Sequence, residues 1–378
     1  MEGKSTTSSR RLGSRRILFV AGALEGGGAE GQLFQLANAL QEIGHEVAVA
    51  TLSPKLVQAK FEHHPICQVM TQSRMVNAAL LGRAILRLNL LVRRRKPDVL
   101  VSWLAVPTVM SSVAVFGTKT PWIAAVRNSQ PEAMRSLPVG VIRRLLRKAL
   151  ARATMVIANS AAGLNGYRAL GLLTHDRIAE IGNCIDTARF HPPSVEQRTK
   201  SREHFGIPDE TPLVAYVGRD APEKDLELLV RTLAALPMRV TNLRIVVVGV
   251  SAKRLHELAA AAAITLPASM QVHARMQRIE TVFMAADVLL LTSRQEGSPN
   301  VVHEARACGV AIVSTDCGDV RATMLPQDLV MPPDALSLAK AVAAVLEKGS
   351  QGRIAPCPMS PMECARRWVN AIDSILDR

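Results

Sequence analysis

Four charged side chains stand at spacings that suit a ligand carrying both phosphate and hydroxyl groups. Arg219 and Lys224 lie five residues apart in Val217-Gly-Arg-Asp-Ala-Pro-Glu-Lys-Asp225, and Glu296 and Glu304 lie eight apart in Ser293-Arg-Gln-Glu-Gly-Ser-Pro-Asn-Val-Val-His-Glu304. A guanidinium forks onto two phosphate oxygens and an ammonium adds a point charge. A helix N-terminus beside a carboxylate can serve phosphate with its free N–H groups and hydroxyls with its acid. Each pair taken alone has a plainer explanation. Two glutamates near a helix start complement the helix dipole, and two surface cations can simply be solvated. Their occurrence in the same half of the chain, each pair after an apolar run, is what joins them into one candidate site.

These residues need elements to position them. The glutamates follow Val288-Leu-Leu-Leu-Thr292 and precede Gly309-Val-Ala-Ile-Val-Ser314, which reads as strand, Gly/Pro loop, helix, strand. Ligands of open α/β sheets bind outside the carboxyl ends of such strands. The alternation runs through the chain twice. Strands are predicted at 16–20, 46–51, 98–102, 122–126 and 155–159, then again at 212–217, 243–249, 288–291 and 310–314, with helical segments between them such as 30–40 and 79–95. A break falls near Phe190-His-Pro-Pro193. Short β-rich runs alternating with helices imply parallel sheets covered on both faces. The predicted architecture is α/β, with two Rossmann-like, doubly wound domains facing a central cleft. The boundaries are a disordered basic tail at 1–15, a first domain at 16–190, a second at 191–360, and a C-terminal helix at 361–378 packing back toward the first.

Composition narrows the possibilities. The chain has 378 residues, 48% hydrophobic, 21% charged and only 3% aromatic. Scarce aromatics count against nucleic-acid modes that stack bases. The net charge of +14 sits in the first half, with 25 Lys and Arg against 11 Asp and Glu up to residue 190 and 21 of each beyond it. Six cysteines form no C-x-x-C pair, and His64 near Cys67 lacks a second ligand pair, so they read as reduced thiols and no metal site is expected. The apolar run Ile17 to Leu24 continues into a glycine loop and helix, as a first strand does and a signal segment does not. No run is long enough to span a bilayer. That glycine loop, Ala21-Gly-Ala-Leu-Glu-Gly-Gly-Gly-Ala-Glu30, brings backbone close to a ligand at a helix N-terminus. It lacks the G-x-G-x-x-G spacing of dinucleotide binders and the Gly-Lys-Ser/Thr of a P-loop. Two helices are strongly basic. Gly140 to Arg152 carries five cations among apolar residues, and Leu81 to Lys96 carries six. Such helices suit an anionic membrane surface, although solvated arginines over a leucine core would look alike.

Taken together, the chain resembles the retaining glycosyltransferases of family 4, which have the GT-B two-domain fold. The resemblance rests on the glycine loop 26–30, Ile157-Ala-Asn-Ser160, Ile181-Gly-Asn-Cys-Ile-Asp186 with Arg189-Phe190, Gly218-Arg219 with Lys224, Ala286-Asp287, and Glu296-Gly-Ser-Pro with Glu304. It implies that Arg219 and Lys224 bind the donor diphosphate, that Glu296 contacts the donor sugar and that Glu304 holds the ribose. Arg219, Lys224 and Glu296 would be the catalytic set. Gly297, Ser298, Pro299 and Asn300 would complete the donor cradle, and Ala274 to Met276 would lie at the nucleobase. Gly26, Gly27 and Gly28 would form an acceptor or phosphate loop, joined by Arg127 and Asn128 where many members have a histidine. Two further departures are Cys184, where a turn glycine is common, and Gly318-Asp-Val-Arg-Ala322, which lacks an expected glutamate.

The function implied is transfer of a hexose from a nucleotide-diphosphate sugar, UDP-linked by the commonest family usage, to a lipid-linked glycan acceptor in cell-surface polysaccharide synthesis. Anomeric configuration would be retained and neither metal nor cofactor required; the chain contains no Asp-x-Asp motif. Expected partners are the nucleotide sugar, the lipid-linked acceptor and an anionic membrane met by the basic helices, with no nucleic acid. The expected location is cytoplasmic, peripheral on the inner face of the plasma membrane. A soluble transferase making a small glycoside, a nucleotide-sugar epimerase, and an inactive nucleotide-sugar-binding protein remain open alternatives.

Overall fold

Apolar runs of four to six residues, too short for helices, form the strands at the centre of each sheet. The computed structural model describes residues 13–22, 27–51, 67–69, 78–130, 139–174, 176–349 and 354–377. The disordered tail expected at 1–15 falls largely outside them. The chain divides into two units, Met1–Cys184 with Pro361–Arg378, and Ile185–Ser360.

In the first unit, β1 (Arg16–Ala21), β2 (Glu46–Thr51), β3 (Cys67–Val69), β4 (Val99–Trp103), β5 (Trp122–Val126), β6 (Met155–Ala158) and β7 (Ile178–Glu180) form one sheet. Its order is β3-β2-β1-β4-β5-β6-β7, and every pairing is parallel. Alternation along β1 sends Leu18 and Val20 to one face, where they join Leu88, Leu146 and Leu150 from the helices Ala78–Arg95 and Val139–Arg152. Phe19 points the other way, into an aromatic cluster with Trp103 at 6.1 Å and Trp368 at 6.4 Å between ring centroids. Trp368 belongs to the helix Pro361–Leu376 and is wholly buried. It explains why the chain's last helix is part of the first unit.

The second unit repeats the design with β8 (Leu213–Val217), β9 (Arg244–Val248), β10 (Met270–His273), β11 (Val288–Leu291), β12 (Ala311–Thr315) and β13 (Leu329–Met331). The order is β10-β9-β8-β11-β12-β13, again parallel. Alternation divides its core as well. Val214, Ile245, Val247 and Leu290 meet the helices Leu226–Ala235 and Ala335–Glu347, while Ala215, Val246, Leu289 and Ile312 meet Glu280–Ala285 and Asn300–Ala307. Each sheet reverses its strand order once, between β1 and β4 and between β8 and β11. At such a reversal the flanking loops diverge and leave a crevice at the carboxyl ends of the strands.

The units part between Cys184 and Ile185 rather than at 190. Ile185 and Phe190 are core residues of the second unit, and the Ile185 N–H donates to Met359 O at 2.9 Å. His191-Pro-Pro193 marks a surface turn just after this seam.

Candidate functional site

The reversal between β8 and β11 brings together two loops far apart in sequence. After β8, a single 3-10 turn, Pro222–Lys224, leads to Asp225, whose φ of 48° is left-handed. Asp tolerates that conformation better than most residues. Here it frees the carboxylate to cap the helix Leu226–Ala235 through the Leu228 N–H at 3.2 Å and to take Arg294 at 2.6 and 3.0 Å. The Arg294 N–H donates to Glu223 O at 2.8 Å and Thr292 Oγ1 to Lys224 O at 3.0 Å. These bonds fasten the loop after β11 to the loop after β8.

The result is a contact between two of the residues singled out by charge and spacing. Lys224 Nζ lies 2.5 Å from Glu296 Oε1, and Ser293 Oγ donates to the same oxygen at 2.9 Å. Both charged side chains are largely buried, which makes the pair electrostatically stronger than a surface bridge. The start of the helix Asn300–Ala307 follows, with Pro299 as its N-cap. Gly297 and Ser298 form the turn between Glu296 and that helix, and Ser298 is buried. Arg306 fixes the helix from within, pairing with buried Asp328 at 2.8 Å while Asp328 accepts from the Ile312 N–H. Arg219 is placed differently. Its side chain is 67% exposed and reaches Glu223 at 3.3 Å, so it borders the pair without joining it.

Glu304 lies just over one turn inside the helix and half-buried. Desolvation pushes its carboxyl up to about 7, against the pull of Arg189 and with the help of Glu280. Arg189 is shared, since it also pairs with Glu280 at 2.7 Å. Among the described residues, no three His, Cys, Asp or Glu side chains converge to hold a metal ion.

The first unit has its own reversal, between β1 and β4. Gly26 lies outside the described residues. Gly27 caps the helix Gly28–Glu42, and a Cβ on Gly27 would fall 2.5 Å from Glu30 Oε2. The helix therefore carries its own acid against the glycines, as the dipole favours. Trp103, at the end of β4, donates Nε1–H to Ala29 O at 2.9 Å. Arg127, expected on the acceptor side, is turned into the first unit. Its guanidinium is buried, bonded to Ile181 O at 3.3 Å and Asn183 Oδ1 at 2.7 Å, and stacked 4.6 Å from the Trp103 ring. Burial lowers its pKa to about 10, so it remains a cation at neutral pH, working inside the unit. Asn128 accepts from the Tyr167 hydroxyl at 3.0 Å.

Comparison with known proteins agrees with this architecture. The model described as Glycosyltransferase Family 4 matches residues 26–189, and that described as Glycosyl transferases group 1 matches 197–355. The two together take in most of each unit, leaving out β1 and the helix Pro361–Leu376 of the first. The chain belongs to the family 4 glycosyltransferases. A D-inositol 3-phosphate glycosyltransferase of Xylanimonas cellulosilytica is 30% identical over 216 residues, 53% of this chain and 51% of that protein. A GDP-mannose-dependent alpha-mannosyltransferase of Mycobacterium tuberculosis is 24% identical over 81% of this chain and 78% of its own length. The match to the first of these relatives thus spans about half of its length. The crystal structure of Anabaena HepE in complex with UDP and glucose superposes with a TM-score of 0.77 at 19% identity, over 95% of this chain and all of that one. At that identity the likeness speaks for the GT-B fold alone.

Within this family 4 chain, some contributors carried no legible signal. Gln32 pairs with the Cys184 backbone at both ends of its amide, at 2.7 and 2.8 Å. Cys184 stands where a glycine was expected and is wholly buried. A hydrogen bond to Cys364 and burial push its thiol far above the usual range. Neither contact could be found from spacing, since Gln32 and Cys184 are 152 residues apart.

Proposed function

We propose that the chain is a retaining glycosyltransferase that moves a hexose from a nucleotide-diphosphate sugar to a lipid-linked glycan acceptor in cell-surface polysaccharide synthesis. The observation that carries this reading is the Lys224–Glu296 contact at the β8/β11 reversal, next to the start of the helix Asn300–Ala307. The bond broken joins the sugar's anomeric carbon to the diphosphate oxygen. Lys224 and Arg219 offset the charge that develops on the departing diphosphate, with the N–H groups of Asn300 and Val301 beside them. Glu296 faces the sugar and Glu304 the ribose. The acceptor hydroxyl attacks from the face the diphosphate leaves and passes its proton to the departing diphosphate oxygen, so the anomeric configuration is retained. Two protein cations do the neutralising, and the reaction is proposed to need no metal.

A nucleotide-sugar donor is supported by the names of the proteins this chain resembles: HepE is described with UDP and glucose, and the mycobacterial relative is named as GDP-mannose-dependent. UDP is the first donor nucleotide to test and GDP the second. Melting the protein with UDP-glucose, UDP-galactose, UDP-N-acetylglucosamine and GDP-mannose tests the reading, because a ligand bound only by the folded state raises the melting temperature. At least one is expected to do so. No shift with any of them, at millimolar concentration, removes the donor site.

Membrane attachment at the cytoplasmic face of the plasma membrane is the second part of the proposal. It is supported by two helices of the first unit, neither of which is long and apolar enough to cross a membrane. Val139–Arg152 exposes Val141 and Leu145 among Arg143, Arg144, Arg147 and Lys148, and Ala78–Arg95 exposes Leu86 and Leu90 among Arg83, Arg87 and Arg94. Asn89 donates to Ala114 O at 2.6 Å and to Phe116 O at 3.3 Å, holding 72%-exposed Phe116 beside that basic row. Cations around exposed apolar side chains suit anionic headgroups with shallow insertion. Replacing Arg143, Arg144, Arg147 and Lys148 by Gln removes roughly 1 kcal/mol of attraction per cation. Flotation with phosphatidylglycerol-containing vesicles is expected to lose the protein; undiminished flotation rules this helix out as the anchor.

A further inference from the structure

Behind the Glu296 loop, Ser298 of the donor cradle meets two side chains, His303 and Asp319, to which the donor reading assigns no task. Ser298 Oγ and His303 Nε2 share a hydrogen bond of 2.7 Å whose direction follows the imidazole tautomer. It joins the turn before the helix Asn300–Ala307 to a residue one turn inside it, so loop and helix close on each other. Asp319 Oδ2 lies 3.9 Å from the same ring nitrogen, and Asp319 Oδ1 is buried with no hydrogen-bond partner among the described residues. A buried carboxylate oxygen left without a donor costs stability, so helix or loop capping does not account for this group. Its neighbour Gly318 has φ +59°, and a Cβ there would lie 2.7 Å from Gly297 O and 3.0 Å from Glu296 Cβ. The loop after β12 therefore meets the Glu296 loop at two adjoining points, through backbone at 318 and through the imidazole at 303. Burial lowers the His303 pKa while Asp319 pulls it upward.

We propose that His303, backed by Asp319 and bonded to Ser298, is a positioning residue that sets how the Glu296 loop sits over the start of the helix. This rests on the donor reading and deepens it. Lys224 and Ser293 hold the Glu296 carboxylate from the β8 side. The Ser298–His303 bond and Gly318 hold the backbone on either side of it from behind. Glu296 is thereby fixed from two directions. Loosening the rear support moves the group assigned to the sugar while leaving the cations assigned to the diphosphate in place. The two ligand parts should respond differently.

Calorimetry on the full chain with UDP and UDP-glucose, and with GDP and GDP-mannose, separates these effects. In the pair that wild type binds, His303→Leu is expected to shift the ratio of sugar-nucleotide to nucleotide affinity by about five-fold or more, because small misplacements at a reacting group are costly. Affinity for the bare nucleotide should stay within about two-fold, since the helix that carries Glu304 is held separately by the Arg306–Asp328 pair. Asp319→Asn should reproduce the shift and stands in if His303→Leu does not fold. His303→Gln, whose carboxamide can still reach the Ser298 hydroxyl, should restore the wild-type ratio. An unchanged ratio in His303→Leu and Asp319→Asn overturns the inference, as does a His303→Gln protein no better than His303→Leu. Wild type binding neither pair removes the donor reading and this inference with it, whereas binding with an unchanged ratio removes only the inference.

Discussion

Replacing Lys224 with Met is expected to damage both turnover and stability, by separable routes. As the cation nearest the proposed diphosphate, Lys224 stabilises charge that grows in the transition state, and its loss should lower turnover by roughly 100-fold or more. The same change strands Glu296, whose carboxylate is largely buried and would keep the hydrogen bond from the Ser293 hydroxyl. Removing one member of a buried ion pair costs a few kcal/mol because the other charge is left uncompensated. Adding Glu296→Gln to Lys224→Met takes that charge away, so the double variant should regain much of the lost melting temperature and none of the turnover. Thermal melts and steady-state rates with a donor found by the screen provide both readings. A Lys224→Met enzyme near the wild-type rate would remove this residue from the chemistry. A double variant as unstable as the single would mean the pair is not what holds the loops. Arg219→Ala makes the useful contrast, because the side chain is exposed and its loss should leave melting unchanged.

Glu304→Gln is expected to stabilise the unliganded protein at alkaline pH and to do nothing in acid. The Glu304 carboxyl, ordinarily near 4.5, is pushed up to about 7 in the folded state, mainly by desolvation. Between those values the folded protein holds a proton that the unfolded chain has released, so stability falls as pH rises through this window and levels off above it. Gln carries no charge and escapes the loss. The advantage of the variant should therefore be negligible near pH 4.5 and reach its full size above about pH 7, bounded at roughly 3 kcal/mol by the free energy of a shifted pKa. Denaturant unfolding at about pH 5 and about pH 8 measures it. An equal gap at the two pH values would mean that the carboxyl is not strained by burial. A protein that keeps a destabilising acid in this place fits a group reserved for a ligand, and the same variant should bind nucleotide less well if Glu304 serves the ribose.

The parts of the molecule legible in sequence are those where one local signal suffices. Central strands such as β8 and β11 are continuous apolar runs because both faces are covered, and Lys224 and Glu296 could be related because each follows such a run. Short edge strands left no such mark. β10 and β13 are half-buried along their whole length, and β7, Ile178–Glu180, ends on an exposed glutamate, so none shows a clear alternation. Arg127 illustrates a different limit. A cation after a buried strand reads equally well as facing a ligand or facing inward, and what decides it is Asn183 and Trp103, 56 and 24 residues distant in sequence. His303 was likewise visible only as one more residue between two glutamates. Its meaning depends on Asp319, which comes from the next loop.

The helix Pro361–Leu376 has a consequence for how the chain is made. The first unit is written in two pieces, with the whole of the second unit between them. Domains fold as they emerge, generally from the N-terminus, yet Phe19 and Trp103 must wait for Trp368 to complete their cluster. The second unit is contiguous and can close first, although it is synthesised later. During synthesis, then, the older half of the protein cannot complete its aromatic cluster until the whole of the younger half has been made.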